Sequence, residues 1–285
     1  MLKGSNWPRI TVVTPSYNQG QFLEETILSV INQDYPNLEY FIIDGGSTDN
    51  SLEIIKKYED KIDWWVSELD KGQSDAINKG FKRATGELLA WVNSDDVLFP
   101  GCLYEVAEVY IKNKKPDLIH ANCVYIDEHS KIIKLIRVPR QTRFFMFRGV
   151  WSAPAPAVFF KGSLLRKVGY LNTRYHFSMD LDIWIRMMKA GGKVCYIPRY
   201  LGAFRWHPNS KSSVLIKSKI HKYDINPEVE KILTDNLYRI TKNRRQMWLF
   251  IWKLYRLINF NYLFSFYETT KFKGKHWKEV FCSNL

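Results

Sequence analysis

Between residues 89 and 101 the chain reads LAWVNSDDVLFPG, with Asp95 and Asp96 adjacent directly after an apolar run. Two neighbouring carboxylates at the end of a buried strand suit a hard divalent cation, Mg2+ or Mn2+, which completes its shell with phosphate oxygens and water. A cation held there would neutralise a diphosphate. The plainer alternative is that the pair caps a helix beginning near Pro100. Other chemistry-bearing residues also stand at the ends of apolar runs. Asp44 precedes Gly45 and Gly46, where it is either a turn residue or an acceptor for a donor N–H. Asp180 and Asp182 open the helical pattern FSMDLDIWIRMMKAGG, and two residues apart they point to different sides of it. His207 lies in the Pro-broken segment FRWHPNSKS between Arg205 and Lys211, suited either to a metal or diphosphate or to a structural role.

The elements that must position these groups alternate regularly. RITVVTP leads into a helix with Phe22, Leu23, Ile27, Val30 and Ile31 at helical spacing. LEYFIIDGGS, DNSLEIIKKYED, IDWWVSE, QSDAINKGFKRATG and ELLAWVNSDD then follow in turn. Four such β-α repeats predict an α/β fold with a mostly parallel, doubly wound central sheet, in which ligands bind beyond the carboxyl ends of the strands. Those ends read TPSYN, DGGSTDN, SELDKGQSD and NSDD, so polar and acidic groups gather at one edge. No GxxxxGK[ST] loop is present and DGGSTD is not GxGxxG, so a diphosphate must be gripped by metal and side chains.

A chain of 285 residues with 46% hydrophobic and 25% charged residues is a folded globular protein. Cys102, Cys123, Cys195 and Cys282 form no CxxC pair, which predicts neither a zinc site nor a disulfide framework and fits a reducing, cytosolic setting. The start, MLKGSNWPRITVVTP, lacks the apolar segment of a signal peptide. The net charge of +13 is uneven: from Ser210 onward there are 15 Lys and Arg against 6 Asp and Glu. Such a basic end either meets a polyanion or is a solvated helical surface.

VVTPSYNQGQFLEETILSVINQDYPNLEYFIIDGGSTDNS, followed by DKGQSDAINKGFKRATGELLAWVNSDD, resembles the nucleotide-sugar-binding half of the family 2 glycosyltransferases, which carry the GT-A fold. The likeness runs from about Ile10 to Pro100 and resumes at APAVFFKGSLLRKVGYLN, MDLDIWIRM and FRWHPNSKS. It implies a catalytic domain over residues 1–213, divided into a donor-binding half (1–100) and an acceptor-binding half (101–213). It further implies that Pro15 and Tyr17 lie against the nucleoside, that Asp44 bonds the base, and that Lys71, Asp75, Asn78, Asn93, Ser94 and Asp95 line the donor. Asp95, Asp96 and His207 are the implied metal ligands and Asp180 the implied general base. Asp182, Trp184, Arg205 and Lys211 fall to the acceptor side or to a loop that closes over the donor, with Trp184 read equally as core. The sequence departs from the family at three places: Asn93 stands where the first acid of the DxD motif often stands, Ile77 where many relatives have Arg, and Met179 where they have Glu. Lys71, Lys79 or Lys211 is left to supply the missing positive charge.

Residues 214–285 are expected to form a basic, aromatic, helical C-terminal extension. RRQMWLFIWKLYRLINFNYLFSF carries Arg244, Arg245, Lys253 and Arg256 inside it, which disfavours a membrane-spanning helix. That leaves an interfacial helix or one packed on the catalytic domain. The resemblance implies metal-dependent, inverting transfer of a sugar from a nucleoside diphosphate, with UDP favoured, to a saccharide or lipid-linked acceptor. This reaction belongs to cell-surface polysaccharide synthesis at the inner face of the membrane. The alternatives are a polyprenyl-phosphate sugar synthase of the same fold and a noncatalytic nucleotide or RNA binder. Nucleic acid is not an expected partner, because the acids gather where a phosphate polymer would be repelled without metal.

Overall fold

The computed structural model describes residues 7–213, 227–237 and 242–282. The expected extension therefore falls partly outside the described residues, between 214 and 226 and between 238 and 241. One nine-stranded sheet runs through the molecule. Its first half is β1 (Ile10–Ser16), α1 (Gly20–Ile31), β2 (Leu38–Asp44), α2 (Ser51–Lys57), β3 (Trp64–Ser67), α3 (Gln73–Arg83) and β4 (Leu88–Trp91). The four strands pair in parallel in the order β3-β2-β1-β4. The apolar runs are continuous because both faces of these strands are covered.

The second half adds β5 (Val97–Leu98), α4 (Cys102–Lys112), β6 (Leu118–Ile126), β7 (Ile132–Ile136), α5 (Arg143–Met146), β8 (Val158–Lys161), α6 (Gly162–Val168), α7 (Met179–Lys189) and β9 (Val194–Arg205). β8 lies antiparallel between β4 and β6, β9 runs parallel to β6, and β5 closes that side antiparallel to β9. β7 pairs with the far end of β6. The chain ends in α8 (Pro227–Asn236), α9 (Lys242–Ile258), α10 (Asn261–Phe272) and α11 (Trp277–Phe281).

Alternation along the strands divides the core in two. Val12, Tyr40 and Ile42 face α1 and α4, meeting Leu23, Ile27, Leu103 and Val106. Val13, Phe41, Ile43 and Trp91 face α3 and α7, meeting Ile77, Phe81 and Trp184. Gly80 lets α3 settle onto β1, since a Cβ there would come within 2.6 Å of Val13 Cγ1.

Packing does not part the chain after residue 213. Val229, Ile232 and Leu233 of α8 belong to the same apolar cluster as Trp91 and Trp184. α10 lies on β7, and Trp277 of α11 stacks on Phe99. Trp252 of α9 is buried against Phe145 and Val150. Among the described residues no helix is long and apolar enough to cross a membrane.

Candidate active site

Register lines up the carboxyl ends of the first strands: Ser16 pairs with Asp44, and Asp44 with Ser67. Asp44 is fully buried and both its oxygens are occupied. Oδ2 accepts from Gly46 N at 3.1 Å, Ser47 N at 2.9 Å and Ser67 Oγ at 2.7 Å, and Oδ1 accepts from Ser47 Oγ at 2.5 Å. It shapes the Gly-rich turn, and that bonding departs from its expected contact with a base. Pro15 is buried in β1, whereas the Tyr17 ring is exposed beyond the strand end, next to Gly45. Gly45 makes room for Asp70: a Cβ on it would stand 2.6 Å from Asp70 Oδ2. Asp70 was visible only as one acid among several in SELDKGQSD.

Around the start of α3, Asp75 Oδ2 accepts from Lys71 N at 3.1 Å, and the Lys71 side chain is exposed. Asn78 does not reach the donor edge, because both ends of its amide bond the backbone of Leu171, at 2.8 and 2.9 Å, and pin α3 to the second half. Of the three candidate cations, Lys79 pairs with Glu68 at 2.8 Å. Lys211 lies in the cleft, donating to Gln73 Oε1 at 2.9 Å and to the His176 carbonyl at 2.8 Å. Burial pulls the Lys211 ammonium below its ordinary range.

Asp95 and Asp96 do not cap a helix, since α4 begins at Cys102 after a left-handed Gly101. They sit in a turn fastened from beneath, where Thr26 Oγ1 donates to the carbonyls of the buried Ser94 at 2.9 Å and of Asp96 at 2.7 Å. The two carboxylates face opposite ways. Asp95 Oδ2 lies 3.0 Å from His207 Nε2. Asp96 is fully buried, accepting from Arg205 N at 2.9 Å and from Asn93 Nδ2 at 2.8 Å. Desolvation, with the Asp95 charge adding to it, pushes the Asp96 carboxyl well above the usual range. Asp96 therefore differs from its expected place as a metal ligand, and supports the turn instead.

Arg205, expected on a closing loop, is the buried last residue of β9. Its guanidinium donates to the Asp95 carbonyl at 2.8 Å, the Asp127 carbonyl at 3.0 Å, Ser130 Oγ at 2.9 Å and Glu25 Oε2 at 2.6 Å. Phe22 lies beneath both the guanidinium and the His207 ring.

Asp180 lies in the first turn of α7 and is half-buried, with Oδ1 accepting from Leu181 N at 2.7 Å. Desolvation pushes its carboxyl up to about 6, and the Glu228 charge acts in the same direction. Asp182 is buried and fully paired: Oδ2 takes a fork from Arg186 at 2.9 and 2.7 Å, and Oδ1 accepts from Asn236 at 2.9 Å. Trp184 is core, stacked on Trp91 at 5.4 Å. The core placement of Trp184 is one of the two places expected for it, and Asp182 is taken up by its own helix and α8.

Two site residues went unread in the sequence. Gln73 donates to Asn93 Oδ1 at 2.6 Å, so a continuous path runs from Asp96 through Asn93, Gln73 and Lys211 to the loop before Asp180. Its position opening α3 below the strand ends could have marked it. Glu228 of α8 accepts from the backbone N–H groups of His176 at 2.8 Å, Phe177 at 2.8 Å and Ser178 at 2.9 Å. No local pattern announces that contact from fifty residues away.

A sheet whose parallel half carries acids at its carboxyl edge, with one carboxylate against a histidine and a second in the first turn of a helix, is an α/β arrangement of the GT-A kind. The sequence model of glycosyl transferase family 2 matches residues 11–168, and the chain belongs to that family. It is 26% identical over 233 residues to the putative teichuronic acid biosynthesis glycosyltransferase TuaG of Bacillus subtilis, covering 80% of this chain and 91% of that one. It is 32% identical over 139 residues to an uncharacterized glycosyltransferase of Haemophilus influenzae, covering 48% of this chain and 55% of the relative. The chain thus spans about half the length of that relative. Among solved structures, S. aureus TarS 1-349 in complex with UDP-GlcNAc superposes with a TM-score of 0.58 at 18% identity, covering 81% of this chain and 72% of that fragment. The mannosyltransferase PcManGT of Pyrobaculum calidifontis, in complex with GDP-Man and Mn2+, gives 0.59 at 18% identity, covering 86% and 75%.

Among the described residues no three His, Cys, Asp or Glu side chains converge on one point. Asp95 and His207 do converge, and two protein ligands fit a cation whose remaining positions are filled by a diphosphate and water.

Proposed function

We propose that this chain transfers a sugar, with inversion, from a nucleoside diphosphate, UDP favoured, to a hydroxyl of a saccharide or lipid-linked saccharide during cell-surface polysaccharide synthesis at the inner face of a membrane. The observation that carries this reading is the hydrogen-bonded path from Asp96, the chain neighbour of the His207-paired Asp95, through Asn93, Gln73 and Lys211 to the loop before Asp180. The UDP-GlcNAc bound by TarS and the pathway in the name of TuaG support the donor and the product class.

In this reading Tyr17 stacks on the base and Lys211 faces the phosphates. Asp95 and His207 would hold Mn2+ or Mg2+, which would supply positive charge against the leaving diphosphate. Asp180, with its carboxyl near 6, is mostly ionised at neutral pH and takes the acceptor hydroxyl proton. The acceptor oxygen then bonds to the anomeric carbon from the face opposite the leaving diphosphate, and the bond from that carbon to the phosphate oxygen breaks.

Two measurements test this. UDP-, GDP- and dTDP-sugars are screened for thermal stabilisation with and without Mn2+; a donor at one hundred times its Kd adds about 2.7 kcal/mol. Stabilisation by a UDP-sugar that Mn2+ enhances is expected, and the absence of any donor response refutes the reading. Asp95→Ala is expected to abolish the Mn2+ enhancement at little cost in Tm. Asp96→Ala, which strands the Arg205 N–H and the Asn93 amide, is expected to lower Tm as well. Unchanged metal dependence in Asp95→Ala removes Asp95 from the metal site.

A further inference from the structure

Helix α10 is inside out. Its polar residues Asn261, Ser265, Glu268 and Thr269 face the protein, and its apolar residues from Tyr262 to Tyr267 face water. Ser265 Oγ accepts from Arg137 N at 2.9 Å and Thr269 Oγ1 from Leu135 N at 3.0 Å, so side chains cap the free edge of β7. Glu268 takes a fork from Arg137 at 2.8 and 2.6 Å. These bonds fix the helix rigidly with its outer face displayed. On that face Leu263 is 61%, Phe266 69% and Tyr267 64% exposed.

α9 continues the same surface. Its inner side buries Trp252, while Phe250, Leu257 and Ile258 point outward, Ile258 at 73% exposure. From Leu257 to Tyr267 there is no charged residue. Cations frame this tip: residues 242–282 hold nine Lys and Arg against two Asp and Glu, and one of those acids, Glu268, is neutralised by Arg137. A displayed apolar face of this size on a soluble surface needs a partner.

We propose that the α9–α10 hairpin is a membrane wedge, its uncharged tip from Leu257 to Tyr267 entering the interfacial region of an anionic bilayer while the flanking lysines and arginines meet the headgroups. Charge selects this occupant over a second copy of the chain, because pairing the face with itself would bring like-charged rims together. Among the described residues neither helix of the hairpin is long and apolar enough to cross the bilayer. The inference gives the peripheral-membrane reading above a surface, and stands whether or not the donor assignment holds.

The test is flotation of the full chain with vesicles of phosphatidylcholine, alone and mixed with phosphatidylglycerol. The wild type is expected to float with the anionic vesicles and far less with the neutral ones, and added salt is expected to weaken binding. Leu263→Asp and Phe266→Asp, both at exposed positions, are expected to keep the wild-type Tm and to lower partitioning by at least about tenfold each. Lys253→Glu with Lys271→Glu is expected to remove the preference for anionic lipid. The proposal is overturned if the wild type does not float, if the tip variants float as well as it does, or if the same variants dissolve a dimer seen by light scattering. Donor-induced stabilisation, measured on the same samples, is expected to be unchanged in every variant. Its absence from the wild type counts against the proposed reaction and leaves the wedge standing.

Discussion

Asp180→Asn is expected to lower turnover by about 100- to 10,000-fold, equivalent to about 3 to 5 kcal/mol of barrier, with donor affinity within about twofold of wild type. The substitution keeps shape and removes only the proton acceptor. A pH profile carries a second signature. The wild-type rate should rise through about pH 6, as the desolvated carboxyl ionises, and level off above it. The stability consequence has the opposite slope. The folded carboxyl holds its proton to a higher pH than the unfolded one, so folding loses stability as pH rises from about 4 to about 6. Asp180→Asn removes that loss, and its Tm at neutral pH is expected to exceed wild type. Asp182→Asn is expected to do the reverse, costing stability through Arg186 and Asn236 while sparing the chemical step. If Asp182→Asn instead loses turnover at unchanged Tm, Asp182 is the base.

Arg205→Met is expected to cost about 3 to 5 kcal/mol of stability, because it takes the nearer of two cations from Glu25, leaving the more distant Lys278, and leaves several acceptors without a donor in a buried place. Metal-dependent donor affinity should fall with it, since the same guanidinium holds the carbonyl of Asp95. Arg205→Lys retains charge but cannot reach four acceptors at once, so partial recovery is expected. A Tm within about one degree of wild type would show that the guanidinium does not brace the turn.

The donor half was legible because its signals are local. Apolar runs, helical spacing and acidic strand ends all lie within short windows, and the four parallel strands follow from them. The orientation of individual carboxylates was not legible. Asp95 and Asp96 are neighbours of identical type, and only the packing of β9 behind the turn decides that one meets His207 and the other Arg205 N. Asn78, Asp182 and Arg205 were read as ligand-facing because polar residues in a motif suggest a ligand. Asn78 and Arg205 instead satisfy partners contributed by distant segments, and Asp182 pairs with Arg186 one turn along its own helix and with the distant Asn236. The acceptor side was least legible, since Glu228 acts through three backbone N–H groups that carry no residue identity.

That last contact bears on the order in which a nascent chain becomes competent. The strands and turns that carry Asp44, Asp95 and His207 have all been made once residue 213 is in place. The loop ahead of Asp180 still has three amides waiting for a carboxylate fifteen residues further on, and Tyr175 and Asp182 wait for Asp235 and Asn236. During synthesis the chain therefore completes the strand ends that carry Asp44, Asp95 and His207 before the loop ahead of Asp180 meets its carboxylate. A polypeptide cut after residue 213 lacks Glu228, Asp235 and Asn236, and with them the bonds that hold residues 175–178 and Asp182, together with the apolar side chains that α8 adds to the core.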